Sequence, residues 1–80
     1  MSNQMAERLV RASLAKFEAD RQEAIAIIEL YLNNPMGVAE HPNIVGELTS
    51  AITRLAEAEE AIGAVERNFT LAREETYENE

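Results

Sequence analysis

The chain has 80 residues, no cysteine, and 15 acidic against 7 basic side chains, a formal charge of −8. That length holds one domain, and the missing thiols exclude a disulfide framework and a thiolate metal site. The acidic balance argues against binding nucleic acid through phosphate neutralisation and against docking on anionic lipid, while 46% hydrophobic residues is too many for a disordered acidic protein.

No apolar run approaches the ~20 residues of a membrane span. Glu7 and Arg8 fall where a secretory signal needs an unbroken apolar stretch. No signal peptide, membrane span or membrane partner is therefore expected.

The first predicted helix covers residues 3–32. Ser2 or Asn3 can cap it. From there no Gly or Pro intervenes, and Ala, Leu, Glu, Arg and Gln predominate. Val10, Leu14, Phe17, Arg21, Ile25, Ile28 and Leu32 follow helical spacing and define one face. Asn33, Asn34 and Pro35 end the helix, because proline lacks an amide and disfavours helical geometry at the residue before it. A turn at 33–41 follows, in which Gly37 can take positive φ. It is too short to hold another element, and short helix connections join antiparallel neighbours.

The second predicted helix covers 42–72. Pro42 suits its first turn with His41 at the cap position; Asn43 is the alternative cap. Ile44, Leu48, Ala51, Leu55, Ala58, Ile62, Val65, Phe69 and Ala72 recur at intervals of four and three. That is the seam of a helix packed lengthwise on another. Leu48, Leu55, Ile62 and Phe69 form a bulky row, and Ala51, Ala58 and Ala72 dominate a small one. The acidic tail at 73–80 is expected to fray, since carboxylates sit badly at a helix C-terminus.

These elements predict an all-α fold: one domain over 1–80, an antiparallel two-helix hairpin of coiled-coil type. Folding back near residues 37 and 38 sets Leu32 opposite Ile44, Ile28 opposite Leu48, Phe17 opposite Ala58 and Leu14 opposite Ile62. The same register lays Arg8 and Arg11 beside the acidic end of the second helix. The predicted hairpin seam comprises Leu14, Phe17, Ile28, Leu48, Leu55, Ile62 and Phe69.

One seam leaves other apolar positions unused. Met5, Ala12, Ala19, Ala26 and Leu30 lie opposite the Leu14 and Phe17 face, with Ile27 nearby; Val45, Ile52, Ala56 and Gly63 form a weaker flank on the second helix. From 24 to 32 only Glu29 is charged, and a helix apolar almost all round is buried on several sides. Met36 and Val38 extend the patch into the turn. Met5, Ala12, Ala19, Ala26, Ile27, Leu30, Tyr31, Met36, Val38, Val45 and Ile52 are therefore the expected interface of a helical-bundle oligomer. The partner is a second copy, as a homodimer or larger assembly, or another protein.

Candidate chemistry is thin. Glu40 with His41 is the single His–carboxylate pair, and a metal site needs three or four convergent ligands. Glu57, Glu59, Glu60 and Glu66 read as a solvated acidic face, because bundle metal sites place Glu-x-x-His inward. Arg21 falls within the first helix's seam, where it either snorkels out to Glu18, Glu57 or Glu59 or forms a buried pair. No catalytic, cofactor-binding or metal residue is predicted, and no cofactor.

Residues 31–42, reading Tyr-Leu-Asn-Asn-Pro-Met-Gly-Val-Ala-Glu-His-Pro, lead into an amphipathic acidic helix. This stretch resembles small uncharacterised proteins encoded by T4-like tailed phages. The resemblance implies a small viral accessory protein in an infected bacterial cytoplasm and carries no activity with it. The expected function is thus non-enzymatic: a structural or regulatory module presenting a helical surface to a protein. The alternative is an acidic decoy that occupies the nucleic-acid site of a host enzyme; Arg54, Arg67 and Arg73 interrupt the one-signed carboxylate track such a decoy needs.

Overall fold

The computed structural model describes residues 4–33 and 43–69. They form two α-helices, α1 (Gln4–Asn33) and α2 (Ile44–Asn68), packed against each other. Tyr31 bonds Glu47, Glu23 bonds Arg54 and Arg21 bonds Glu59 across the pair. Partners descend along α1 as they ascend along α2, so the helices are antiparallel. The three pairs lie within one helical turn of the predicted register. The chain is an all-α helical hairpin.

The expectations for Met36, Gly37 and Val38, for Glu40 and His41, for Ala72 and for the tail at 73–80 lie outside the described residues.

Asn43 caps α2. Its side-chain Oδ1 accepts the Gly46 amide at 3.0 Å, and its carbonyl accepts the Glu47 amide at 3.0 Å. This satisfies donors that a helix start otherwise leaves orphaned. Gly46 makes room for the cap: a Cβ there would run into the Asn43 amide. The alternative cap named from the sequence is thus the one used, and α2 begins at Ile44 rather than at 42.

Its other end also corrects the sequence reading. Asn68 turns its amide back to the Ala64 carbonyl at 2.8 Å, and Phe69 leaves the helix in extended geometry, at φ −131° and ψ 129°. Its backbone amide still reaches the Val65 carbonyl at 2.9 Å. Asparagine competes with the backbone for such bonds and favours an ending. Phe69 therefore stands outside the seam, 51% exposed, although its spacing continues the repeat.

The core is built from small side chains. Ala24, Ala51, Ala58 and Val65 are buried, Ala24 completely. No large side chain among the described residues is fully buried. Leu14, Phe17, Ile28, Leu48, Leu55 and Ile62 line the seam half-buried. On α1 the seam runs Val10, Leu14, Phe17, Arg21, Ala24, Ile28 and Tyr31, alternating steps of four and three. Leu32 is 61% exposed and does not face Ile44 as predicted. The repeat reaches Ala24 and Tyr31 instead, because a seam advances by seven residues in two turns, and Ile25 and Leu32 lie one position past it.

Thermal or urea unfolding checks both the packing and the cap. Ala24→Leu should cost about 1–3 kcal/mol, as overpacking does, whereas Ala19→Leu on the exposed side should cost next to nothing. Asn43→Ala should cost about 1 kcal/mol. Gly46→Ala, normally worth a gain of ~1 kcal/mol within a helix, should bring none, because the new methyl displaces the cap.

Candidate interaction surface

The interhelix bonds mark the two long sides of the hairpin. On one side the Glu23 carboxylate accepts Arg54 at 3.1 Å, and the Tyr31 hydroxyl donates to Glu47 at 3.1 Å. Glu47 and Arg54 are seven residues apart, so both lie in one row along α2. Phe17, Asp20, Arg54, Glu57 and Ala58 line a shallow groove there. Tyr31, one of the residues expected at an oligomer interface, lies half-buried on this side of the hairpin. Its phenol is held above its ordinary pKa, first by burial and then by its bond to and the charge of Glu47.

On the other side Arg21 reaches Glu59 at 3.4 Å. Both groups are partly exposed, so Arg21 snorkels out of the seam, to one of the three acids expected. Glu59 ends the row Val45, Ile52, Glu59 along α2. On α1 the matching row is Glu18, Ile25, Leu32, flanking Arg21. The register set by Glu23 with Arg54 puts Ile25 level with Ile52 and Leu32 level with Val45. Val45 is 75% and Ile52 49% exposed. Apolar side chains thus occupy the half of this side next to Asn33 and Asn43, and charges occupy the rest.

The back of α1 carries Met5, Leu9, Ala12, Ala19, Ala26 and Leu30, all exposed. Lys16 and Glu23 interrupt that row. The residues expected to form one interface are therefore distributed. Met5, Ala12, Ala19, Ala26 and Leu30 lie on the back of α1, Ile27 and Tyr31 on the Glu47 side, and Val45 and Ile52 on the Glu59 side. Leu32, assigned from the sequence to the seam, stands on the surface, while Ile25 flanks the seam half-buried. Their seven-residue spacing, which Val45 and Ile52 share, was the available signal.

Two further ion pairs each join residues of one helix. Arg11 pairs with Glu7 one turn away on α1 at 3.0 Å. Arg67 lies across Gly63, where a Cβ would come within 2.9 Å of its guanidinium, and approaches Glu60 at 3.5 Å. Exposed pairs of this kind are worth about 0–1 kcal/mol each and orient more than they stabilise. Among the described residues no group of three or more His, Cys, Asp or Glu could hold a metal ion. No helix described is long and apolar enough to cross a membrane.

No family model, curated protein or solved structure matches this chain.

The Tyr31 bond has a pH signature. A phenol raised above its unfolded value of about 10 stabilises the fold below that pH and ceases to do so as pH rises through the folded value. Between about pH 9 and 11, wild type should lose more thermal stability than Tyr31→Phe, which has no such proton to lose. Parallel loss in both proteins would show that Tyr31 contributes nothing through Glu47.

Proposed function

We propose that this chain is a non-enzymatic protein-interaction module, a helical hairpin that receives other helices on its exposed apolar sides. The observation that carries this reading is the inversion of its packing. The residues it buries are alanines and one valine, while Leu9, Leu30, Leu32, Val45 and Ile52 stand half or more exposed. Apolar area is the main driving force for association, and these large aliphatic groups remain available for it. The role is structural or regulatory. The resemblance of residues 31–42 to small phage proteins supports an infected bacterial cytoplasm as its setting.

The decoy reading is weaker on electrostatic grounds. A nucleic-acid mimic needs a track of uncompensated carboxylates, whereas Glu23, Glu59 and Glu60 each sit beside an arginine. Salt separates the two. Retention of a partner on the immobilised chain, whether a second copy or another protein, should persist from about 50 mM to about 500 mM salt, over which screening shortens several-fold. Retention lost across that range would overturn the apolar reading and favour the decoy.

A further inference from the structure

We draw no further inference here: the strongest candidate, the apolar surface patch of Ile25, Leu32, Val45 and Ile52 on the Glu59 side of the hairpin, is an unpartnered face, and nothing in the structure shows what covers it.

Discussion

Close approach of two helices is the constraint on which the rest of this hairpin depends. Ala24, Ala51 and Ala58 are buried at the seam, and alanine is the smallest side chain that keeps a helix stable. Small residues at alternating layers let the backbones come together, so the bulky residues of one helix pack over the small ones of the other. Phe17 shares a groove with Ala58 in this way. A close pair of helices has a thin cross-section. Each seam residue meets one neighbouring helix, and water reaches it from both sides. Phe17, Leu48, Leu55 and Ile62 are accordingly half-buried, and only short side chains disappear from solvent.

The two sides of that thin body are closed differently. Tyr31 with Glu47 and Glu23 with Arg54 run a polar lacing over one. Such bonds are compatible with water on their outer surface and lose little by exposure. On the other, Arg21 bonds Glu59, and beyond that bond lie the aliphatic groups of Ile25, Leu32, Val45 and Ile52. The seam's one arginine contributes to this division. By leaving the seam toward Glu59 it avoids burial of its charge, and it fixes where the polar half of that side begins.

How much of this was legible in the chain varied with the kind of residue. The α2 seam from Ile44 to Val65 was readable in full, because bulky and small residues alternate there against charged neighbours. The α1 seam was misread at Ala24 and Tyr31. Alanine is favoured throughout a helix whatever it faces, so its buried instance looks like its exposed ones, and Ile25 and Leu32 drew the reading one position aside. Phe69 failed for another reason: a periodic pattern reports hydrophobicity, while the helix end is decided by the hydrogen bonds of Asn68. Asn43 was readable as a cap, and Gly46, which gives it room, had no separate signal.

The surface was the least legible part, and the cause is geometric. Periodicity places each residue at an angle on its own helix, but it does not say which flank of α1 adjoins which flank of α2. Val45 and Ile52 were recognised, as were Met5, Ala19 and Leu30, yet the two groups lie on different sides of the molecule. Only the crossing bonds settle the matter, by showing that the row of Ile25 shares a side with the row of Ile52. Once the rows are joined, an apolar half-side appears that neither helix displays alone. A third or fourth helix laid there would enclose the flanking seam residues from the direction in which solvent now enters. The alanines that bring the two helices close thus also account for the bulky side chains left half-buried, because a pair that thin cannot surround them.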